Sequence, residues 1–169
     1  MRKELTVKPI MLATDGSPTA AKATAYAIEL ARQLGTELVI VSVADVAYAS
    51  YSAIGFAPVP LGELANLGQE EAAKVTAEAA EHAEEAGIET RAVVLRGFPV
   101  EAICDAAERF APEFLVIGSH GWGPMKRALF GSVSTGVVHQ AKCPVLVVRG
   151  VAEHSASAIE SGARETAGV

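Results

Sequence analysis

Apolar residues gather in five short runs along the chain, and longer stretches of mixed polar and apolar residues separate them. Most of these runs do not alternate between apolar and polar positions, which is typical of strands buried on both faces of a parallel sheet. The strands are predicted at residues 9–14, 37–43, 88–95, 114–117 and 144–148. Strands that alternate with helices indicate an α/β fold, in which right-handed crossovers place helices on both faces of the sheet.

Helical stretches lie between the predicted strands. Helices are predicted at residues 18–34, 64–86, 99–110 and 132–141. Ser17 and Pro18 form a start signal for the first helix, and Gly35 forms its stop signal because Gly adopts a left-handed conformation at little cost. The residues expected on the inner face of this helix are Ala23, Ala27, Leu30, Ala31 and Leu34.

Two stretches fit neither pattern. Residues 44–62 are irregular, and a loop of this length is usually functional or disordered. Its aromatic residues are Tyr48, Tyr51 and Phe56. They either pack within the loop or line a lid over a site. Residues 151–169 consist mainly of Ala, Ser, Gly and Glu, so we expect a single domain over residues 1–150 followed by a flexible tail.

Composition narrows the classes of function. The chain has 169 residues, half of them apolar, a formal net charge of −6, and only 5 Phe, 3 Tyr and 1 Trp. Such a chain is a poor match for nucleic-acid binding, which needs clustered cations or stacking platforms. It has no apolar run of membrane-spanning length, no signal-peptide pattern, and two cysteines without a CxxC pair. We therefore expect a cytoplasmic protein without nucleic-acid or membrane partners.

Candidate chemistry is concentrated in residues 118–134, which follow the fourth predicted strand. Glycines there would let backbone N–H groups approach an anion, and the start of the next helix adds a partial positive charge. The residues concerned are Gly118, Gly121, Gly123, Gly131, Ser132 and Ser134. A Walker A loop does not fit, because Pro124 and Met125 stand where Lys and Ser or Thr are needed. A GxGxxG motif lacks its third glycine.

One glycine spacing in this segment does match a known pattern. Gly-x2-Gly-x9-Gly-[Ser/Thr] is formed by Gly118, Gly121, Gly131 and Ser132. With this spacing the sequence resembles the ATP-binding branch of the universal stress protein family, over roughly residues 8–149. The resemblance extends to Asp15 after the first strand, to Gly97-Phe98-Pro99 before the third helix, and to the closing strand. It implies a five-stranded parallel sheet in the order 3-2-1-4-5 and a homodimer paired through the last strand.

The resemblance also implies a ligand and its site. ATP, with Mg2+ or Mn2+, would lie in the crevice at the carboxyl ends of the strands. Asp15 would contact the ribose or a phosphate-bound metal, and the backbone of Val43 would contact adenine. The implied cofactor-binding residues are Ala13, Thr14, Asp15, Val43, Gly118, Ser119, Gly121, Gly131, Ser132, Val133 and Ser134. Trp122 departs from the family pattern, which often has a basic or small residue there.

Three functions remain open at this point. The first is an ATP-binding stress-response regulatory protein in which the nucleotide acts as a switch. The second is an interaction module of the same fold that works without nucleotide. The third is an enzyme that hydrolyses ATP slowly or transfers adenylyl groups, although the sequence shows no general base with a positioned partner. Simpler interpretations also exist for single residues: Asp15 as part of a helix cap, and His120 as a polar loop residue. Cys104 and Cys143 are interpreted as small buried apolar residues.

Overall fold

The computed structural model describes residues 7–44, 60–121 and 131–149. The strands are β1 (Ile10–Ala13), β2 (Leu38–Ala44), β3 (Thr90–Arg96), β4 (Phe114–Gly118) and β5 (Val145–Val148). The helices are α1 (Pro18–Leu34), α2 (Leu61–Glu85), α3 (Pro99–Phe110) and α4 (Ser132–Gln140). Every predicted element is present, with bounds that differ by at most three residues.

Several predictions from the sequence fall on segments outside the described residues. They concern the aromatic residues of the 44–62 loop, Trp122 and Gly123, and the tail at residues 151–169. The division into a domain over residues 1–150 and a tail therefore stays a prediction.

The strands form one parallel sheet in the order β3-β2-β1-β4-β5, which confirms the predicted order. β1 is central, since Ala13 lies opposite Val41 of β2 and Ile117 of β4. The chain leaves β1 for β2 on one side and later returns to β4 on the other. The connections after β1 and β4 therefore diverge, and such a switch point leaves a crevice at the carboxyl ends of the strands.

Two apolar layers cover the two faces of the sheet. Side chains alternate along a strand, so Ile10 and Leu12 of β1 pack with α1 and α2, whereas Met11 and Ala13 pack with α3 and α4. All four side chains are buried. This arrangement confirms the predicted helices on both faces. It also explains why the apolar runs do not alternate, because each face of a central strand needs apolar side chains.

The ends of α1 follow the predicted signals. The Ala20 N–H donates to Ser17 Oγ at 3.2 Å, Pro18 is the first helical residue, and Gly35 has φ 62°. The predicted inner face is confirmed except at its last residue, because Leu34 is 44% exposed. The last turn of α1 lies at the amino edge of the sheet, where the Thr36 hydroxyl donates to the Lys8 carbonyl at 2.8 Å. Leu34 therefore stands near the edge at which the strands begin, and it is exposed there.

Candidate functional site

Three segments meet at the carboxyl edge of the sheet. They are the turn after β1, the end of β4 with residues 118–121, and the start of α4 at residues 131–134. β1 and β4 are neighbours, so their following loops are adjacent. The Gly131 N–H donates to the Ser119 carbonyl at 2.7 Å, which brings the start of α4 to the end of β4. We call the space between these three segments the switch-point crevice.

The turn after β1 is built by its own side chains. The Gly16 N–H donates to Thr14 Oγ1 at 3.3 Å, and the Ser17 N–H donates to Asp15 Oδ1 at 3.0 Å. Gly16 has φ 72°, a conformation that L side chains rarely adopt, and Val75 of α2 packs against it. Asp15 thus supports the turn that leads into α1. This contact agrees with the interpretation of Asp15 as part of a helix cap. Asp-Gly after a strand is the sequence signal for this turn.

The second carboxylate oxygen of Asp15 lies against the loop after β4. A Cβ added to Gly121 would collide with Asp15 Oδ2. Asp15 is exposed at this position, although it is held between two loops. In this arrangement Gly121 leaves room for the Asp15 carboxylate, in addition to its predicted role in the approach of an anion.

Gly118 and Gly131 have different surroundings. A Cβ on Gly118 would lie 3.2 Å from Ala20 N and from the Thr19 carbonyl carbon, so this glycine lets the end of β4 pack against the first turn of α1. A Cβ on Gly131 would meet the Ser119 carbonyl oxygen at 3.4 Å, an ordinary contact. The contact of Gly118 with the first turn of α1 is a tertiary contact, which the spacing of glycines along the chain does not indicate.

The serines of the site fall into two classes. Ser119 and Ser134 are 1% and 3% exposed, whereas Ser132 is exposed. The Ser119 N–H donates to the Val148 carbonyl at 2.8 Å, and Ser119 Oγ lies 3.0 Å from His120 Nδ1. The side chain accessible at the start of α4 is therefore that of Ser132.

The start of α4 has the properties of an anion site. Gly131 is its N-cap and makes no side-chain cap hydrogen bond. The N–H groups of the first helical turn have no partner inside a helix, and the helix dipole makes this end partly positive. Ser132 and Val133 stand in that turn. This helix end therefore suits the predicted contact with phosphate.

Val43 lies on the other side of the crevice, at the end of β2. The pairing of β2 with β1 ends at Val41, whose carbonyl accepts the Thr14 N–H at 3.0 Å. Backbone groups two residues apart on a strand point in the same direction. The N–H and C=O of Val43 therefore point toward the crevice, beyond the end of β1. This position suits the predicted backbone contact with a base.

The electrostatics of the crevice are unusual for an anion site. Residues 13–17, 118–121 and 131–134 contain the Asp15 carboxylate and the His120 imidazole but no Lys or Arg. Lys126 and Arg127 lie outside the described residues. Among the described residues there is no group of three or more metal-ligating side chains. A cation at Asp15 would therefore need further oxygen ligands from the nucleotide or from water.

A second concavity lies at the opposite, amino edge of the sheet. It is a cleft of about 410 Å³ beside Glu108, Lys142, Cys143 and Pro144. The Lys142 ammonium lies 2.8 Å from Glu108. Burial raises the pKa values of the Cys104 and Cys143 thiols, which keeps both protonated and poorly nucleophilic. Cys104 is buried as predicted, whereas Cys143 is only partly buried.

The structure places the described members of the predicted site at the carboxyl edge of the sheet, whereas Gly123 lies outside the described residues. Sequence reasoning missed Ser17, whose hydroxyl donates to the His120 carbonyl at 3.4 Å and so links the start of α1 to the loop after β4. The sequence did predict that Ser17 lies at the start of α1, but the contact of Ser17 with His120 depends on the tertiary fold. None of the helices in the described part of the chain is sufficiently long and apolar to traverse a lipid bilayer.

Comparison with known sequences identifies related proteins along most of the chain. The family model described as the universal stress protein family matches residues 6–149. Universal stress protein YxiE of Bacillus subtilis is 33% identical over 144 residues, which cover 83% of this chain and 97% of the relative. Universal stress protein MJ0531 of Methanocaldococcus jannaschii is 34% identical over 143 residues, covering 84% of this chain and 82% of the relative.

Solved structures show the same architecture. The structure of protein MJ0577 superposes with a TM-score of 0.72 at 28% identity, covering 85% of this chain and 96% of that one. A universal stress protein in complex with cAMP has a TM-score of 0.59 at 24% identity, covering 85% of this chain and 97% of that one. The universal stress protein from Archaeoglobus fulgidus in complex with dAMP has a TM-score of 0.63 at 24% identity, covering 83% of this chain and 97% of that one.

Proposed function

Because this chain belongs to the universal stress protein family, we propose that its switch-point crevice binds ATP together with Mg2+ or Mn2+. The nucleotide acts as a regulatory ligand in a stress response and shifts the protein between states with different affinities for a partner. A ligand shifts such an equilibrium only by binding one state better than the other.

One observation supports this proposal above the others. An accessible helix start, the Asp15 carboxylate and the inward backbone edge of Val43 border the same crevice. The three features match the three parts of a nucleotide, which are an anionic phosphate chain, a metal-bound or ribose segment, and a base that forms hydrogen bonds. The two family members solved with cAMP and dAMP hold adenine nucleotides, which supports the choice of base.

The proposed roles follow from exposure and direction. The N–H groups of Ser132 and Val133, with the exposed Ser132 hydroxyl, bind phosphate oxygens. Asp15 binds the metal ion, since the described crevice segments contain no cationic side chain that would offset the phosphate charge. The N–H and C=O of Val43 form hydrogen bonds with the adenine edge. The remaining predicted residues form the backbone walls of the crevice.

We propose binding rather than rapid turnover. Hydrolysis needs a base that reaches an attacking water, and nucleotidyl transfer to the protein needs an accessible nucleophile. The serine that contacts a histidine, Ser119, is 1% exposed and lies beneath the crevice. The pair therefore does not present a nucleophile to a bound ligand.

We also propose a homodimer paired through β5 and a cytoplasmic location. β5 pairs with β4 at the edge of the sheet, and Leu146 in it is 38% exposed. A sheet edge that carries exposed apolar residues is a typical pairing surface. Both cysteines are free thiols, which suits a reducing compartment.

Calorimetry tests the binding proposal. Purified protein, first checked for nucleotide released by acid, is titrated with ATP in Mg2+, and with AMP and GTP in parallel. Saturable binding of ATP, or ATP that co-purifies, is the expected result. A nucleotide-free sample that shows no binding at millimolar ATP, a limit of about 4 kcal/mol, would favour the nucleotide-independent module. Steady release of ADP or AMP over many turnovers would favour the enzyme.

A glycine variant locates the bound nucleotide. Gly131→Val places a branched side chain at the mouth of α4, where even a Cβ contacts the Ser119 carbonyl oxygen. We expect it to abolish measurable ATP binding. The matched control is Gly62→Val, because a Cβ on Gly62 has no described atom within 4 Å. Equal ATP affinity in the two variants would place the nucleotide elsewhere.

A further inference from the structure

Ser134 is buried at the junction between β4 and α4. Its Oγ lies 2.9 Å from the Ser119 carbonyl oxygen and 3.0 Å from the Gly131 carbonyl oxygen. A serine hydroxyl has a single hydrogen to donate, and both neighbouring atoms are acceptors. The two carbonyl oxygens therefore share the hydrogen of the Ser134 hydroxyl. Ser134 therefore has no hydrogen left to donate to a phosphate.

The Ser119 carbonyl connects the two elements. It accepts the Gly131 N–H at 2.7 Å and the Ser134 hydroxyl, so both of its hydrogen bonds come from the start of α4. Ser119 is fixed in turn to β5 by its own N–H, which donates to Val148. The orientation of the first turn of α4 thus depends on two donors at a single carbonyl group of the sheet edge.

We propose that Ser134 is a positioning residue that holds the first turn of α4 against the end of β4 and aims its N–H groups into the switch-point crevice. This inference rests on the proposed nucleotide site and assigns Ser134 a role without direct ligand contact. A preorganised turn loses less conformational freedom when the anion binds, so its fixation raises affinity.

Removal of the hydroxyl is not expected to unfold the protein. In Ser134→Ala the Ser119 carbonyl keeps the Gly131 N–H, and the Gly131 carbonyl keeps the Thr135 N–H at 3.0 Å. No buried carbonyl group loses all of its donors, which avoids the main cost of breaking a buried hydrogen bond. A change in ligand affinity is then separable from a loss of stability, and urea denaturation of each variant checks this.

Amide hydrogen exchange of the nucleotide-free protein gives the first test. We expect the Gly131 amide to exchange about tenfold faster in Ser134→Ala, as loss of one hydrogen bond would produce. Ser134→Thr keeps a hydroxyl that bonds the preceding turn of a helix and should restore slow exchange. The matched control is Thr76→Val, because the Thr76 hydroxyl also donates to two carbonyls of its own helix, those of Ala72 and Ala73, at 3.0 Å each, and neither acceptor belongs to α4.

ATP titration gives the second test. We expect Ser134→Ala to weaken ATP binding about tenfold, Ser134→Thr to restore it, and Thr76→Val to leave it unchanged. Weaker binding with unchanged Gly131 exchange would show that Ser134 contacts the nucleotide directly and would overturn the inference. Faster exchange with unchanged affinity would reduce Ser134 to a structural residue. Wild-type protein that binds no nucleotide would overturn the proposed function, and the exchange data would then separately decide whether Ser134 holds α4.

Discussion

Asp15 combines a structural contact with a position in the crevice. One carboxylate oxygen accepts the Ser17 N–H at 3.0 Å and so supports the entry to α1. The other faces the loop after β4, where Gly121 leaves the room for it. A single substitution that removes both contacts cannot separate the two roles. An Asn side chain has the same shape as Asp, so it keeps the contact with the Ser17 N–H and removes the charge.

Two variants of Asp15 separate these roles. Asp15→Asn keeps an oxygen that accepts the Ser17 N–H, so its free energy of unfolding should stay near that of the wild type. Asp15→Ala loses this acceptor and should be less stable by about 1 kcal/mol. Both variants should weaken Mg2+–ATP binding at least about tenfold, since both lose the charge that attracts the metal ion. Wild-type affinity in Asp15→Asn would restrict Asp15 to the support of the turn. Urea denaturation and calorimetry measure the two quantities.

At the scale of elements, the starts of α1 and α4 are held in different ways. Ser17 caps α1 with its side chain, because its Oγ accepts the Ala20 N–H. α4 has a glycine N-cap, and the hydroxyl of Ser134 in its first turn donates to the Ser119 carbonyl at the end of β4. This difference leaves the N–H groups at the start of α4 without a competing side-chain cap, which suits an end that binds an external anion.

The cap of α1 can be tested by its contribution to stability. Ser17→Ala removes the acceptor for the Ala20 N–H and the hydroxyl that donates to His120, so we expect a loss of about 1–2 kcal/mol in the free energy of unfolding. Ser132→Ala is the matched control, because Ser132 stands in the first turn of α4 but does not cap it. Its stability should stay within about 0.5 kcal/mol of the wild type. Equal losses in the two variants in urea would contradict the assignment.

At the scale of the whole molecule, the sheet has two unlike edges. β3 is one edge strand and β5 is the other, and exposed Leu146 lies on β5. The crevice opens at the carboxyl ends of β1 and β4, one strand away from β5. Because Ser119 donates its N–H to the Val148 carbonyl, a change at the β5 edge has a short structural route to the start of α4.

The dimer proposal predicts a specific effect of charge at this edge. Leu146→Lys places an ammonium group in the proposed interface and should weaken dimerisation at least about tenfold, as the loss of a buried leucine would. Leu67→Lys on α2 is the control, since Leu67 is 48% exposed and lies away from β5. Light scattering over a dilution series measures both. A monomeric wild type, or an equal effect of the two variants, would exclude pairing through β5.

Much of this fold was predictable because the signals are local. Apolar runs at 9–14 and 37–43 marked buried strands, and Ser17, Pro18 and Gly35 marked the ends of α1. The order of the strands came from the resemblance carried by the glycine spacing, and the structure confirms it. Leu34 was wrongly placed on the inner face, because helical periodicity does not report where a helix passes the edge of the sheet beneath it.

By itself, the sequence determined which elements form, where they end, and which loops carry the glycines and serines of the candidate site. Only the tertiary structure decided how those residues are used. It brought Asp15 against Gly121, packed Gly118 against the backbone of α1, and buried Ser134 while Ser132 stayed exposed. The physical reason is that propensities and caps act between neighbours in the chain. The contacts between the segment after β1 and the loop after β4 instead span more than 100 residues, as in the bond from Ser17 to His120.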